Sequence, residues 1–433
     1  VIQLISHQFR RAGVIVALAF LGGTTAHAQL PVTRAEAERA ALSAGARVAL
    51  ARVDTAAAIA RLLTARGLPN PTLALGFTKA VPQHHVTFDF PVFDALWRRG
   101  LVVGQASASV RAARLLFASE RLAALVEVDT TYTRALAADA RFRLSRQTAL
   151  DADSLRRMTV SRRDAGDASD LDVDLATVVA GQQLNLATDD SLMYMSTLLT
   201  VQALMGIPAD SVAIVLSDSL VIASADTLIE RRALDSTGMA LNLPPAIRGA
   251  TQASGVSGIP SVAAAQATLT AAELAVSVQK RSVYSLPSIN VGAEWGDPTG
   301  SETGFLPLIG LSIPLPIFNR NQGPIAEATA ERERARVQLL STRLAVRQRL
   351  IEGVRERDAL IAKVARDRDL VVRAQRVADR SLTAYREGAS GLPAVLEARR
   401  SAREVLGQYI ADLAALLTIN TELRALTQTV PVP

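Results

Sequence analysis

From Ile325 to Leu392 the chain runs without a proline and is dense in Arg, Glu, Ala and Leu, directly after an apolar segment studded with prolines, LSIPLPIFNRNQGP, Leu311–Pro324. Proline removes a backbone donor and clashes with the preceding turn, so its absence over such a length permits one continuous helix. At ~1.5 Å rise per residue that helix spans on the order of 100 Å. Helices of this length lie outside globular norms and imply coiled-coil packing along most of their course. Val337, Leu340, Leu344, Ile351, Val354 and Ile361 form one apolar seam on it, and Leu339, Val346, Leu360 and Val364 form another. Two seams on one helix require neighbours on both sides.

The same arrangement occurs earlier in the chain, at a separation of about 220 residues, far longer than a solenoid repeat. GLPNPTLALGF (Gly67–Phe77) answers to SLPSINVGAEW (Ser285–Trp295), and FDFPVFD (Phe88–Asp94) answers to LSIPLPIFN (Leu311–Asn319). Each pair precedes a long helical pattern, from about Gly100 to Ala165 and from about Gly323 to Glu387, that stops at a glycine. A further helix follows each stop. The first long helix carries its own seam, Leu115, Ala118, Leu122, Leu125, Tyr132 and Leu136, interrupted by Asp129. The expected unit is therefore helix, strand, strand, very long helix, turn, helix, present twice.

The first helix of the first unit opens with Thr33-Arg34-Ala35-Glu36, a capping box in which the Thr and Glu side chains satisfy backbone amides, and is expected to end at Gly67 and Pro69. Residues 29–207 make the first unit and 258–429 the second, with 208–257 an irregular insert between them and 430–433 a short tail. The insert is expected to hold one strand and a short helix. Residues 1–28 have the layout of a secretory signal peptide: Arg10-Arg11, an apolar run from Ala12 to Leu21, and the small-x-small pattern Ala26-His27-Ala28. The apolar run is about half the ~20 residues of a spanning helix, and no later run approaches that length.

The formal charge of +6 comes almost wholly from arginine, because only Lys79, Lys280 and Lys363 are lysines. Arginines and acids interleave, as in ERERAR, which describes solvated helix faces rather than a nucleic-acid surface. The chain has no cysteine, so it offers neither disulfides nor a lipid-carrying cysteine after the leader. No nucleophile with a base and no phosphate-binding glycine loop is present, so an enzyme is not expected, nor any cofactor. His84-His85 is not a metal site by this reading, because adjacent strand residues point to opposite faces.

Four strands are expected, at about 71–80, 85–94, 287–297 and 304–316. In HVTFDFPVF, Val86, Phe88 and Phe90 share one face and Thr87 and Asp89 the other; in SINVGAEW, Ile289, Val291 and Trp295 oppose Ser288, Asn290, Gly292 and Glu294. Such alternation fits an outer-membrane barrel strand, and equally a hairpin half buried on a globular core. A transmembrane barrel needs at least about eight strands, because an open edge in lipid leaves backbone groups unpaired. One chain with four strands would have to share its barrel.

The order of elements, together with LPNPTLALG, LPSINVGAEWG, LSIPLPIFNRNQG and YREGASGLPAVLEA, resembles the TolC family of outer-membrane efflux proteins over essentially the whole mature chain. SIPLPIFNRNQGPIAEA is most similar to members serving resistance-nodulation-division pumps, the heavy-metal subgroup in particular. The resemblance implies a mainly α fold with a transmembrane β part: a trimeric, twelve-stranded β-barrel continued by a periplasmic α-helical barrel. It implies a passive conduit for metal ions or drugs in the outer membrane, in contact with its lipid. The expected partners are two further copies, a periplasmic adaptor and an inner-membrane pump. A type I protein secretion conduit is the alternative within the class, and a soluble periplasmic coiled-coil scaffold the alternative outside it.

Carried onto this sequence, the resemblance places an adaptor-docking tip at Gly166, Ser169 and Leu171 in the first unit and Gly388, Ser390 and Leu392 in the second. It places a periplasmic aperture at Asp172 and Glu397, with Asp170 beside them; where some members have a further Asp this chain has Ala394. Ser169 or Asp170 can equally be a helix cap. The barrel-to-helix junctions fall at Pro91 and Gly100, and at Pro314, Pro316, Gly323 and Pro324, where prolines end sheet pairing and Pro324 suits a first helical turn.

Overall fold

The computed structural model describes residues 30–80, 82–210, 212–220, 256–284, 286–296 and 304–427. The expected leader, the 430–433 tail and most of the insert lie outside the described residues. A short strand β1 (Leu30–Val32) leads into helices α1 (Arg34–Ala44) and α2 (Ala46–Arg66), strands β2 (Thr72–Phe77) and β3 (His84–Phe90), and helices α3 (Val92–Asp164) and α4 (Asp170–Leu204). After strand β4 (Ile214–Leu216) come helix α5 (Pro260–Arg281), strands β5 (Ser288–Trp295) and β6 (Leu306–Ser312), and helices α6 (Gln322–Arg386) and α7 (Leu392–Thr427). The order helix, hairpin, very long helix, helix thus occurs twice.

The helices lie side by side along their lengths. Next to the sheet, α3 packs against α2 and α5, and α5 against α6; farther away, α3 packs against α4 and α7, and α7 against α6. One core runs through this row from Ile259 and Val262 on α5, through Leu350, Val354 and Val364 on α6, to Leu413, Leu416 and Ile419 on α7. Each such fully buried aliphatic side chain contributes about 1.5–3 kcal/mol relative to exposure. Pro260–Arg281 is long and apolar enough to cross a membrane, but it buries Val262, Ala263, Ala264 and Val276 and sits between α3 and α6.

Several sequence expectations change. The capping box at Thr33 is present, but the first helix is two helices, broken at Gly45. Gly45 is extended (ψ 135°), and a Cβ there would stand 2.3 Å from the Ala41 carbonyl, so only glycine fits the break. The first long helix begins at Val92, directly after Pro91, so Gly100 lies within it and marks no junction. Proline needs no amide partner at a helix start, which lets α3 begin earlier than Gly100 suggested. On α6 burial cuts across the two seams: Leu339, Val346 and Val364 of the second are buried together with Val354 and Ile361 of the first, whereas Val337, Leu340, Leu344 and Ile351 are exposed.

Asp129, the interruption in the α3 seam, is the centre of a polar node. Its carboxylate pairs with the Arg34 guanidinium and accepts from Thr421 Oγ1 on α7. One turn on, the Tyr132 hydroxyl lies 2.9 Å from both the Val32 carbonyl and Asp218 Oδ2, and the Asp218 carboxylate also accepts from the Arg34 amide at 2.8 Å. Burial and the neighbouring Asp218 push the Tyr132 phenol far up, so it stays a neutral donor. β1 pairs in parallel with β4, and the node ties this two-stranded clasp to α1, α3 and α7. Tyr132→Phe should lower stability by about 1 kcal/mol. Asp129→Ala, which strands Arg34 and Thr421 together, should cost more, on the order of 3 kcal/mol. Both are read as lower unfolding midpoints with earlier proteolysis at residues 30–44.

Candidate channel surfaces and periplasmic tip

The four strands form one antiparallel sheet in the order β2-β3-β5-β6. Register decides what each face carries. Leu73, Phe88, Val291 and Ile309 line up across all four strands, flanked by the row Leu75, Val86, Ala293, Pro307 and, through Phe90 and Ile289, by Leu311. This face is exposed: Leu75 is 73 % and Ile309 80 % accessible, and Phe77, Phe88, Val291 and Leu311 are also open. The opposite face brings Asp89 beside Asn290, Thr87 beside Gly292 and His85 beside Glu294. The alternation read from single strands thus extends across β3 and β5, whereas β6 places Leu306 and Leu308 on the polar face.

His85 Nδ1 lies 3.0 Å from Glu294 Oε1, and its Nε2 lies 3.2 Å from Thr78 Oγ1. Glu294 is 209 residues away in sequence, and only strand register brings it to His85. His84, on the other face, stacks on Trp295. The two histidines do point apart, and among the described residues no group of three His, Cys, Asp or Glu could hold a metal ion.

The junctions between sheet and helices are built from side chains. Past β6, Pro314 and Pro316 lie outside any ladder, and α6 opens at Gln322 with Gly323 and Pro324 in its first turn. Asn321 precedes it with φ 59°, a left-handed conformation that Asn tolerates better than most residues. Its Nδ2 donates to the Gln279 carbonyl at 2.8 Å and Ser282 Oγ at 2.7 Å, fastening the start of α6 to the end of α5. At the first junction Pro91 caps α3, Arg281 lies 4.5 Å over the Trp97 ring, and Arg99 Nη2 donates to the Arg66 carbonyl at 2.9 Å.

At the far end the two turns are built alike. Gly166 (φ 85°) and Gly388 (φ 75°) sit in the left-handed region that terminates a helix. Asp167 N donates to Arg162 O and Gly166 N to Arg163 O; Ala389 N donates to Ala384 O and Gly388 N to Tyr385 O. Both are Schellman turns, in which the same pattern of back-bonds satisfies the last carbonyls. Leu171 is 75 % exposed and Ser169 is exposed, whereas Leu392 is 1 % exposed and packs with Leu155, Ala176, Tyr385 and Val395. The Leu392 side chain therefore anchors its turn and is not offered to a docking partner. Ser390 Oγ is buried without a partner.

The acids named for the aperture occupy different settings. Asp172 completes a capping box: its Oδ2 accepts from the Ser169 amide at 3.1 Å and Ser169 Oγ at 2.8 Å, while Ser169 accepts from the Asp172 amide. Asp170 is exposed, 3.8 Å from Arg163. Glu397 lies on a groove of about 750 Å³ between α4 and α7, with Arg399, Arg400, Arg403 and Gln183. Between the two helical pairs, Arg162 of α3 donates to the Tyr385 carbonyl of α6 and stacks 4.7 Å over its ring, and Thr159 Oγ1 lies 3.3 Å from the Tyr385 hydroxyl. This tie was invisible in sequence, since a lone Arg and a lone Tyr at helix ends carry no pattern.

Residues 256–428 match the family described as Outer membrane efflux protein. A stretch of 92 residues is 30 % identical to the cobalt-zinc-cadmium resistance protein CzcC of Cupriavidus metallidurans and spans 21 % of this chain and 21 % of that protein. Similarity of structure is far more extensive. CusC, described in terms of transmembrane channel formation, is similar over 95 % of this chain and 96 % of its own, with a TM-score of 0.67 at 14 % identity. The CmeC outer membrane channel of Campylobacter jejuni gives 0.69 at 12 % identity, over 91 % of this chain and 85 % of its own. The outer membrane protein VceC of Vibrio cholerae gives 0.68 at 15 %, over 92 % and 96 %. Residues 256–428 are thus similar to the outer membrane efflux protein family, and along nearly its whole length the chain has the fold of CusC, CmeC and VceC.

Proposed function

We propose that this chain is one subunit of an outer-membrane channel tunnel in a tripartite efflux system of the TolC type. The observation that carries the reading is a four-stranded sheet with one continuous apolar exposed face, an opposite face polar across β3 and β5, and two unpaired edges, β2 and β6. In hydrocarbon each unpaired backbone group costs several kcal/mol, so the edges must meet other copies. Three copies give twelve strands, as the resemblance implies, with lipid outside and Thr87, Asp89, Asn290 and the His85–Glu294 pair lining the pore. The helical rows would continue the barrel into the periplasm.

The exposed part of the first α6 seam supports the same assembly. Val337, Leu340, Leu344 and Ile351 lie at a distance below the sheet comparable to a groove of about 590 Å³ between α2 and α3, lined by Leu50, Leu116 and Phe117. Seating the seam of one copy in the groove of the next is a heterologous contact, which forms a ring when its rotation closes after three copies. The two units, 29–207 and 258–429, would then alternate around the tunnel.

A passive conduit takes its energy from an inner-membrane pump, of the resistance-nodulation-division type in this reading, through a periplasmic adaptor docked near Gly166, Ser169, Leu171, Gly388 and Ser390. The local likeness to a cobalt-zinc-cadmium resistance protein favours metal ions as cargo. Arg162 and Tyr385 would hold the two helical pairs together when the tip is closed. Asp172 and Glu397 would set the charge of the aperture, where carboxylates from three copies attract cations and repel one another.

Leu344→Asp and Leu116→Asp alter side chains exposed in the single chain, so the helical content should persist while crosslinked trimers disappear. Trimers undiminished in both variants would remove these surfaces from the interface. In planar bilayers, Glu397→Gln and Asp172→Asn, the latter retaining a capping acceptor, should weaken divalent-cation block and raise single-channel conductance. Unchanged block and conductance would take both residues out of the aperture.

A further inference from the structure

The core between α6 and α7 is interrupted by two carboxyl groups. Asp367 and Asp412 are 8 % and 5 % exposed, among Val364, Tyr409, Leu413 and Leu416. Asp412 is fully served: Lys363 Nζ donates to its Oδ1 at 2.8 Å, and Gln408 Nε2 lies 3.0 Å from each oxygen. The Asp367 carboxyl neighbours that of Asp412, and its Oδ2 is buried with no donor. An ionised carboxylate only accepts, so a buried oxygen without a donor, beside a second buried carboxyl, favours a proton on the pair.

The charges facing the pair leave this demand unmet. On α6, Lys363 is committed to Asp412, and Arg366 reaches Asp367 only through its field. On α7, Gln408 is neutral. Helix α3 also packs on α7, in the antiparallel register set by Asp129 with Thr421 and by Asp151 with Arg399. At the level of Asp412, α3 carries Asp139 and Arg143, which pair with each other at 2.7 Å, and Arg134 and Arg141, which are exposed.

We propose that Asp367 and Asp412 hold a single proton between them, and that losing it loosens the α6–α7 pair, making a pH-responsive joint about 30 Å from the second tip. The proposal stands on this helix pair and does not depend on the channel reading. Burial and the Asp412 carboxyl raise Asp367 above its ordinary value of 3.8. Burial opposes ionisation of Asp412 too, but hydrogen bonds from Lys363 and Gln408 hold it below 3.8. The signs follow by linkage: the stabilisation from Asp367 is complete below 3.8 and is lost as pH rises through its raised value, whereas that from Asp412 is lost only as pH falls below 3.8. Above 3.8, the pair therefore responds through Asp367.

Hydrogen exchange of the full chain in detergent micelles, corrected for intrinsic rates, tests this between about pH 4 and about pH 7.5. Protection around 363–371 and 408–413 should fall about threefold or more toward the higher pH, because the ratio of ionised to protonated carboxyl rises about tenfold with each pH unit. Asp367→Asn supplies a permanent donor to Asp412, so its protection should be flat with pH and exceed that of the parent at about pH 7.5. Asp412→Asn should lower protection throughout, because Lys363 loses its partner. A parent profile flat with pH, an Asp367→Asn profile with the parental slope, or Asp367→Asn weaker than the parent at every pH would each overturn the proposal.

Discussion

The four-stranded sheet leaves one apolar face exposed and two edges unpaired within the chain. Both edge strands, β2 and β6, present backbone donors and acceptors along their lengths, and exposed apolar side chains lie between them. Everything below the sheet is arranged consistently with an answer in further copies. The helices form a row, α4 packing chiefly on α3 and α6 on α7, whose outer faces retain exposed leucines and methionines. Leu192, Met193, Met195 and Leu199 on α4, like Leu340 and Leu344 on α6, are apolar where one protomer gives them nothing to touch.

Polar groups in the interior mark the places where elements distant in sequence must be held in register. Asp129 gathers Arg34 and Thr421; Asn321 gathers Gln279 and Ser282; Tyr385 receives Arg162. Each joins two or three helices at a defined height, which a uniform leucine seam cannot do, because long apolar seams tolerate sliding by whole turns. Removing one partner from such a contact strands the other away from water, and this gives these few contacts influence beyond their number. The Asp367–Asp412 pair belongs to the same class but keeps one oxygen without a donor, which makes it a position of adjustable rather than fixed attachment.

Much of this was legible in sequence because it rests on local rules. The absence of proline gave the long helices, period-two alternation gave the strands and their faces, and glycines followed by Ser or Gly-Leu marked the tips. The capping box at Thr33 was readable for the same reason, and a second at Ser169 is built on an Asp in place of the usual Glu. The errors were local as well. Gly100 looked like a helix start because glycine often borders helices, while Pro91 was already a sufficient one; Leu392 was grouped with the residues of its turn, although its side chain is buried.

The sequence by itself determined the kind of object: two long helical units, each headed by a hairpin with alternating polarity. Those features depend on hydrogen bonding and side-chain direction within a few turns of chain. Only the tertiary structure decided that β3 pairs with β5, which places Glu294 on His85, and that β1 pairs in parallel with β4. It also decided which residues of the two α6 seams are buried and which are exposed, and that Asp129, an apparent flaw in a seam, is a junction. These depend on groups brought together from tens to hundreds of residues apart, and no periodicity within one element encodes its partner.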